Sequence, residues 1–473
     1  MAAEGVTHRV HDVGVSVDER ATAGKAARKV SPRTGRAGFT PAPDRSDPID
    51  LLEKQAQTRL PELVPIRYGR MASSPFAFFR GAAAIMAEDL ATRPTSGLDV
   101  QLCGDAHLLN FGMYNSPERR MVFDLNDFDE TFPGPWEWDV ERLAASLAVA
   151  GLEMGYSADE TATVVRDSVR TYRTAMAQFA GMKNLDVWYS RLEVDEFVES
   201  LRTRLSTAAA KAVQKQTAKF ASRDSVQAFG KLTRSTEDGP RFRSDPPLVV
   251  PAVELDFLQE IHVHAQAMRV LSDYVASLPE DRGHLVTRYR YADIARKVVG
   301  VGSVGTRAWI VLLLGRDDQD PLILQVKEAQ ASVLETHLGE REYDGHGHRV
   351  VTGQRLMQAS TDIFLGWYHG FGIDEMPRDF YVRQLRDGKG GVDVTTMSPS
   401  QMRVYGEVCG WTLARAHARS GDSVGIAAYA GAARTLDDAL AEFALAYAQQ
   451  NARDHAALVA AIDSGRVQAV TGV

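Results

Sequence analysis

The sequence predicts an α+β protein with a large helical part and a small antiparallel sheet. Two observations predict this class. Apolar residues recur three and four positions apart over 137–290 and again from 399 to the end, which is the period of a helix. Short β-branched and aromatic runs, bounded by Gly, Pro and Asp, occur instead over 98–131 and 296–386.

The bulk properties exclude several classes of protein. The chain has 473 residues and a net charge of −8, which argues against a general nucleic-acid binder with a basic face. Cys103 and Cys409 are its only cysteines, too few for a disulfide framework or a zinc cluster. No apolar run suits a signal peptide or a membrane span. We therefore expect a cytoplasmic protein without a nucleic-acid or membrane partner. The sequence does not indicate its oligomeric state.

Local signals place the elements in order. Residues 1–46 show no periodicity and predict a disordered tail. Asp47-Pro48 is a good N-cap followed by proline at the first helical position, so a helix is expected there. The expected strands are 98–102, 121–125, 309–314, 322–326 and 380–385. A hairpin loop at 315–320 joins the third and fourth of them.

The first cluster with chemical potential is the loop 103–110, Cys-Gly-Asp-Ala-His-Leu-Leu-Asn, which follows a predicted strand. Asp105 and Asn110 are separated as the base and the magnesium ligand are in the kinase catalytic loop, Asp-x-x-x-x-Asn. Phosphoryl transfer needs a carboxylate that accepts a hydroxyl proton and oxygens that hold magnesium. Taken alone, the loop could equally be a polar Asx turn.

The second cluster is acidic and follows the strand at 121–125. Asp124 could bind magnesium, which prefers oxygen ligands and shares them with phosphate, and Asp127 is the second candidate for that role. Four acidic residues within 124–130 are costly to bring together without a cation or a basic partner. A solvated acidic turn is the alternative interpretation. Asp139, at the start of the next helix, could be a simple N-cap.

The third cluster is Gly-rich. Gly300, Gly302 and Gly305 form Gly-x-Gly-x-x-Gly, with Ser303 between them, and glycines let backbone N–H groups approach phosphate oxygens. The motif alone is weak evidence. A dinucleotide-binding motif should be followed by a helix. Here a strand, a hairpin and then Lys327 follow, which is the nucleotide-binding arrangement of kinases.

These motifs resemble those of the aminoglycoside and choline kinases, whose catalytic loop reads His-Gly-Asp-x-His-x-x-Asn. His107 matches the second histidine, Cys103 replaces the first, and Asp139 matches a structural aspartate that braces the loop. The segment 406–418 resembles the helix that precedes the catalytic loop in those enzymes. The chain also resembles the bacterial family known as domain of unknown function 2252 from about residue 60 onward. That resemblance rests on segments 74–81, 101–107, 123–131, 353–358 and 413–422.

The motif order differs from that of ordinary kinases, because the catalytic loop precedes the Gly-rich loop. Joining the end of the chain to its start would restore the usual order, which is a circular permutation. The resemblance thus implies a permuted, protein-kinase-like, two-lobed fold. Its expected parts are a tail (1–46), a helical lobe with the catalytic and metal sites (47–295), a small nucleotide-binding lobe (296–390) and C-terminal helices (391–473).

The resemblance implies ATP and Mg²⁺ as cofactors and a hydroxyl group on a small molecule or protein as the acceptor. Some positions depart from the kinase pattern. Arg307 replaces a valine, Gln325 replaces a small residue beside the adenine, and the glutamate that pairs with the lysine is not identified. Glu335, Glu328 and Gln354 are the candidates for the partner of Lys327.

Three alternatives stay open. The same site could transfer AMP instead of phosphate, or it could bind nucleotide without turnover, as a pseudokinase does. The segment 127–131, Asp-Phe-Asp-Glu-Thr, also resembles the Asp-x-Asp-x-Thr motif of haloacid-dehalogenase phosphatases. That interpretation leaves the Gly-rich loop and Lys327 without a role.

Overall fold

In this computed structural model, the described residues are 14–201, 225–255, 260–298, 300–372, 375–385 and 393–472, and all statements below concern these residues. Residues 1–13 of the predicted tail and 386–390 of the predicted small lobe therefore lie outside the described residues, as do residues 391, 392 and 473 of the expected C-terminal part.

The chain is mixed α+β, as the sequence predicts. The helices are α1 (Val17–Ala27), α2 (Pro48–Ala56), α3 (Val64–Ala72), α4 (Pro75–Gly81), α5 (Ala83–Ala91), α6 (Trp136–Glu153), α7 (Ala158–Ala180), α8 (Asn184–Tyr189), α9 (Val194–Leu201), α10 (Ser225–Leu232), α11 (Glu260–Ala276), α12 (Glu280–Val286), α13 (Glu335–Leu338), α14 (His346–Met357), α15 (Pro399–Ser420), α16 (Ser423–Ala430) and α17 (Thr435–Asp463).

The strands are β1 (Asp99–Leu102), β2 (Phe111–Asn115), β3 (Met121–Leu125), β4 (Phe132–Pro135), β5 (Leu192–Glu193), β6 (Thr233–Thr236), β7 (Gly239–Phe242), β8 (Val249–Pro251), β9 (Arg290–Lys297), β10 (Ala308–Leu314), β11 (Pro321–Ala329), β12 (Gly366–Phe371) and β13 (Pro377–Gln384). All five strands expected from the sequence are confirmed.

The largest sheet has six strands in the order β12-β13-β11-β10-β9-β8, and every neighbouring pair is antiparallel. The predicted hairpin loop joins β10 to β11, because Leu314 pairs with Pro321. Side chains alternate between the two faces of the sheet. Helices α11 and α12 pack on the face that carries Trp309 and Val311, whereas α10 packs on the opposite face, against Ile310 and Ile323.

The helical part is built around α6, α7, α15 and α17, which pack together over one large apolar core. Asp47 caps α2 through its side chain, which accepts hydrogen bonds from the backbone N–H groups of Ile49 and Asp50, as the sequence predicts. Two short antiparallel pairs of strands connect the core to the site. In one pair β1 lies beside β4, and in the other β2 lies beside β3. No described helix combines the length and the hydropathy that crossing a bilayer requires.

The structure corrects two of the expected boundaries. The segment 14–46 is not a disordered tail, because it contains α1 and because Arg36 is buried between Glu137 (2.6 Å) and Glu141 (2.8 Å) of α6. The sheet also begins earlier than residue 296. Strand β8 already belongs to it, and β9 runs across the expected boundary. Local periodicity misses both features because long-range pairing creates them.

Candidate functional site

The loop after β1 is held rigidly by α6. The Asp139 carboxylate accepts hydrogen bonds from the backbone N–H groups of Cys103 (2.8 Å) and Gly104 (3.0 Å), and it lies 3.2 Å from Nε2 of His417 on α15. Gly104 has φ +82°, and a Cβ there would meet the Glu130 carbonyl at 2.2 Å. Asp139 lies inside α6 and is not its N-cap. Its expected role as a brace of the loop is therefore confirmed.

Asp105 and Asn110 lie at the two ends of this braced loop. The Asp105 carboxylate accepts a hydrogen bond from Nε of Arg142 (2.9 Å), and the Asn110 amide donates to the Asp105 carbonyl (2.6 Å). Burial raises the pKa of Asp105 above its usual value, whereas Arg142 opposes that shift. Burial also lowers the pKa of His107 well below its usual value, so the ring is neutral at pH 7. The loop thus presents one carboxylate that is ion-paired but reachable from the cavity.

The acidic segment after β3 divides into buried and cavity-facing carboxylates. Asp124 is 1 % exposed and forms an ion pair with Arg415 of α15, and it also accepts a hydrogen bond from the Ala359 N–H (2.9 Å). It does not line the cavity described below. Asp127 and Asp129 do line it. The expectation that Asp124 faces the site as a metal ligand is therefore corrected, because Arg415 and the backbone occupy its oxygens.

Lys327 joins the sheet to the acidic segment. Its ammonium lies 2.5 Å from Oδ2 of Asp129 and 3.4 Å from Oγ of Ser303, and the Tyr381 hydroxyl donates to Oδ1 of Asp129 (2.6 Å). Burial alone would raise the pKa of Asp129, but Lys327 lowers it to about 2. The same attraction raises the pKa of Lys327 against the effect of its burial. Asp129 and Lys327 are thus both charged at pH 7.

None of the three candidate partners named above contacts Lys327. Glu328 points to the other face of β11, as expected, and pairs with Arg378 (2.8 Å). Gln354 donates to Gln358 on its own helix (3.0 Å), and Glu335 accepts from the Ser332 N–H (2.9 Å). The partner of Lys327 is Asp129, two residues after the metal-ligand candidate Asp127. The sequence pattern does not identify this pair, although clustered acidic residues are costly without a cation and therefore indicate that one lies nearby.

The Gly-rich loop is docked on the N-terminal helices. Gly300 (φ +64°) and Gly305 (φ +92°) adopt left-handed conformations that favour glycine. The Leu60 N–H donates to the Gly305 carbonyl (2.8 Å), and a Cβ on Gly302 would lie only 3.2 Å from the Arg80 carbonyl. Val304 is fully buried in a small apolar cluster with α3. The loop therefore forms a fixed roof over the residues beneath it.

A cavity of about 830 Å³ lies under this roof. Of the site residues that the sequence predicts, Asp105, Asn110, Asp127, Gly300, Gly302 and Ser303 line it. Lys327 does not line the cavity itself, but it contacts two residues that do, Asp129 and Ser303. Gly305, at the end of the Gly-rich loop, and Asp124 do not line the cavity. Three arginines of the N-terminal helices also line it: Arg59, Arg67 and Arg80. Arg355 donates to the Leu365 carbonyl (2.6 Å) and does not line this cavity.

The donors available for a metal are few. Within the described residues, no group of three or more His, Cys, Asp or Glu side chains is arranged to hold a metal ion. Asn110 and Asp127 supply one amide and one carboxylate oxygen to the cavity. Magnesium commonly binds one or two protein oxygens and takes its remaining ligands from phosphate and water. The residues present therefore fit a magnesium ion that arrives with a phosphate, and they do not form a resident metal site.

The sheet face next to Lys327 is occupied by protein. Gln325 accepts a hydrogen bond from Nε of Arg383 (3.1 Å), and Arg383 also donates to the Asn126 carbonyl (3.1 Å). One step farther along β11, Ile323 packs against α10, which covers this face. The place that a kinase leaves open beside its lysine for the adenine is thus filled at these positions.

Comparison with known proteins gives a family. Neither the curated proteins nor the solved structures include a significant match to the chain. The model of one family, described as "Uncharacterized protein conserved in bacteria (DUF2252)", matches residues 59–461, which include the loop 103–110, the acidic segment, the Gly-rich loop and Lys327. Because this match covers most of the sequence, the chain belongs to the bacterial DUF2252 family.

Proposed function

We propose that the chain is an ATP- and magnesium-dependent phosphotransferase with a circularly permuted, protein-kinase-like fold. The observation that carries the proposal is convergence. Asp105, Asp127 and Ser303 come from distant parts of the sequence and line one cavity, and Lys327 contacts its wall. Each motif alone could have an ordinary structural role, but such roles do not explain why all of them meet at one cavity.

The order of elements in the sheet supports the fold part of the proposal. A Gly-rich loop joins β9 to β10, Lys327 follows on β11, a helical segment comes next, and β13 then pairs beside β11. A Gly-rich hairpin with a lysine one strand later is the nucleotide-binding arrangement of protein kinases. One feature differs. Lys327 pairs with Asp129 and not with a glutamate from the following helix.

The residues have distinct roles in the proposed transfer. Asp105 accepts the proton of the acceptor hydroxyl while the new O–P bond forms and the bond to ADP breaks. Lys327 and the backbone of the Gly-rich loop bind phosphate oxygens. Asn110 and Asp127 hold magnesium, which neutralises phosphate charge when it is bound. No pocket is assigned to the adenine of ATP, because Gln325, Arg383 and α10 fill the neighbouring sheet face.

The proposal is tested first by thermal unfolding with and without ATP and magnesium. A ligand that binds only the native state stabilises it by about 2.7 kcal/mol at a hundred times its Kd. We expect a magnesium-dependent rise in Tm for the wild type and for Asp105→Asn, and none for Lys327→Met. The methionine keeps most of the buried volume of the lysine. Absence of any shift with nucleotides in the wild type would contradict the proposal.

Turnover separates the remaining alternatives. Water can serve as the acceptor, so ATP labelled on the γ- or the α-phosphate reports basal transfer. We expect release of labelled phosphate from the γ-position, and we expect Asp105→Asn to lower it by about 100-fold or more. Transfer of the α-label to protein would indicate a nucleotidyl transferase. Binding without either reaction would indicate a pseudokinase.

A further inference from the structure

Three arginines form the wall of the cavity that faces the catalytic loop. Arg59 follows α2, Arg67 lies in α3 and Arg80 lies in α4, so three separate helical segments converge there. Arg59 lies under the end of the Gly-rich loop, since a Cβ on Gly305 would be 3.0 Å from the Arg59 Cβ. Arg80 lies within electrostatic reach of Asp105. The wall therefore extends from the Gly-rich loop to the proposed catalytic base.

These guanidinium groups lack acceptors for several of their N–H groups. Arg67 is 1 % exposed, and its Nη2 donates to Gln55 (3.0 Å) and to the Gly81 carbonyl (2.9 Å), but its Nε and Nη1 have no partner among the described residues. Arg59 donates to the Val304 carbonyl (2.5 Å), and no described residue accepts from its buried Nε. The Arg80 side chain makes no hydrogen bond or ion pair with any described residue. Buried donors without acceptors are costly, so an absent partner is indicated.

Several other buried or partly buried arginines among the described residues have carboxylate partners. They include the pairs Arg36–Glu137, Arg45–Asp89, Arg142–Asp105, Arg173–Asp437 and Arg415–Asp124. The acids nearest the wall are already engaged. Asp105 is paired with Arg142, and the Glu130 carboxylate accepts a hydrogen bond from the Val333 N–H (2.8 Å). The wall consequently carries positive charge that the described protein does not neutralise by ion pairing.

The electrostatics agree with this geometry. Burial lowers the pKa of Arg59, of Arg67 and of Arg80, because the charged guanidinium loses water without gaining a carboxylate contact. A bound anion would reverse that effect. Guanidinium groups bind phosphate through paired, charge-assisted hydrogen bonds, and this makes arginine the usual residue for recognising it.

We propose that Arg59, Arg67 and Arg80 bind a phosphate group on the acceptor, so that the substrate is a phosphorylated compound with a free hydroxyl group. This inference deepens the proposed function, and its catalytic part rests on Asp105 as the base. Phosphate bound at the wall would hold the acceptor hydroxyl beside Asp105. The nucleotide phosphates would lie near Ser303 and Lys327.

The test uses two probes on the full chain, inorganic phosphate and ATP with magnesium, at constant ionic strength. Kd values are measured by calorimetry for the wild type, Arg80→Gln, Lys327→Met and Arg355→Gln. Arg80 makes no hydrogen bond that folding would lose, and the half-buried Arg355, outside the cavity, is the matched control. We expect Arg80→Gln to weaken phosphate binding by about ten-fold and to leave ATP binding within about two-fold. Lys327→Met should show the opposite pattern.

The outcomes separate this inference from the proposed function. If ATP does not bind but phosphate binds in an Arg80-dependent way, the phosphotransferase proposal fails and the anion site stands. The anion site fails if the wild type shows no saturable phosphate binding, or if Arg355→Gln weakens it as much as Arg80→Gln. If Arg80→Gln weakens ATP and phosphate equally, the arginines bind the nucleotide's own phosphates, and the assignment to the acceptor is overturned.

Discussion

At the scale of single residues, the site depends on which carboxylates have a cation beside them. Asp129 has Lys327, Asp124 has Arg415 and Asp105 has Arg142. Among the described residues, Asp127 has no ion-pair partner, and the hydrogen bond that it accepts comes from the N–H of Asp129 (3.3 Å). Burial and the neighbouring Asp129 raise its pKa. A cation between Asp127 and phosphate would relieve this repulsion, so we propose Asp127 and not Asp124 as the metal ligand.

The first prediction contrasts Asp124 with Asp127. Replacing Asp124 by Asn leaves the Arg415 charge buried without a counterion, which should lower the free energy of unfolding by about 3 kcal/mol. Asp127→Asn removes a carboxylate without an ion pair, so we expect a change within about 0.5 kcal/mol. Urea unfolding without nucleotide measures both. A near-neutral Asp124→Asn that loses the magnesium dependence of ATP binding would show that Asp124 is the metal ligand after all.

The second prediction concerns pH. Burial raises the pKa of Glu130 to about 7 in the folded protein, against 4.5 for the ordinary side chain. The folded state therefore holds a proton that the unfolded state has lost between about pH 4.5 and 7, so this residue's contribution to stability falls as pH rises through that range. Glu130→Gln cannot titrate. Its stability relative to the wild type should increase from pH 5 to pH 8.

Urea unfolding at pH 5 and pH 8 measures that difference. Glu62→Gln, at an exposed glutamate, is the matched control, and we expect its difference from the wild type to be the same at both pH values. Equal behaviour of the two variants would show that the Glu130 carboxylate loses its proton in the folded protein as readily as in the unfolded chain.

At the scale of elements, the sequence predicts what local pattern determines. The strands at 309–314 and 322–326 are short apolar runs around a polar loop, and the helix at Asp47-Pro48 carries its own cap. The structure confirms each of them. The spacing of Asp105 and Asn110 is also local, and both reach the cavity.

Contacts between distant elements explain what the sequence does not predict. Arg36 lies in a stretch without periodicity, and only α6, far along the chain, supplies the glutamates that bury it. The sequence gives Asp124 as the first candidate and Asp127 as the second, and it does not show that Arg415 of α15 pairs with Asp124. The incompletely paired Arg67 has no local signature, because the groups that it contacts, Gln55 and the Gly81 carbonyl, lie on α2 and α4.

The third prediction tests the attachment of the Gly-rich loop to the helices. Val304 is fully buried with Leu63 and Ile66. Val304→Ala removes two methyl groups and leaves a cavity, so the free energy of unfolding should fall by about 2 kcal/mol. Because the loop is the roof of the cavity, the Tm rise caused by ATP and magnesium should fall as well. The exposed Val253 is the control, and Val253→Ala should change stability by less than about 0.5 kcal/mol.

At the scale of the whole molecule, the cavity is assembled from segments that are far apart in the chain. The N-terminal helices, the loop 103–110, the acidic segment and the Gly-rich loop each supply part of its lining. In the circularly permuted fold that we propose, this set corresponds to the one that ordinary kinases assemble in another order, because a permutation changes the order of segments without changing their contacts. One bound ligand should therefore stabilise all of these segments together.

Hydrogen exchange measures that coupling directly, and it supplies the last prediction. Openings that abolish ligand binding become rarer by the factor 1 + [L]/Kd. At ATP ten times its Kd, with magnesium, backbone amides in 103–110, 127–130 and 300–306 should thus exchange about ten-fold more slowly. The C-terminal half of α17 does not line the cavity, so its local openings should be unchanged. Lys327→Met should remove the protection in all three segments at once. Protection confined to one segment would mean that the ligand binds elsewhere and that the motifs do not act as one site.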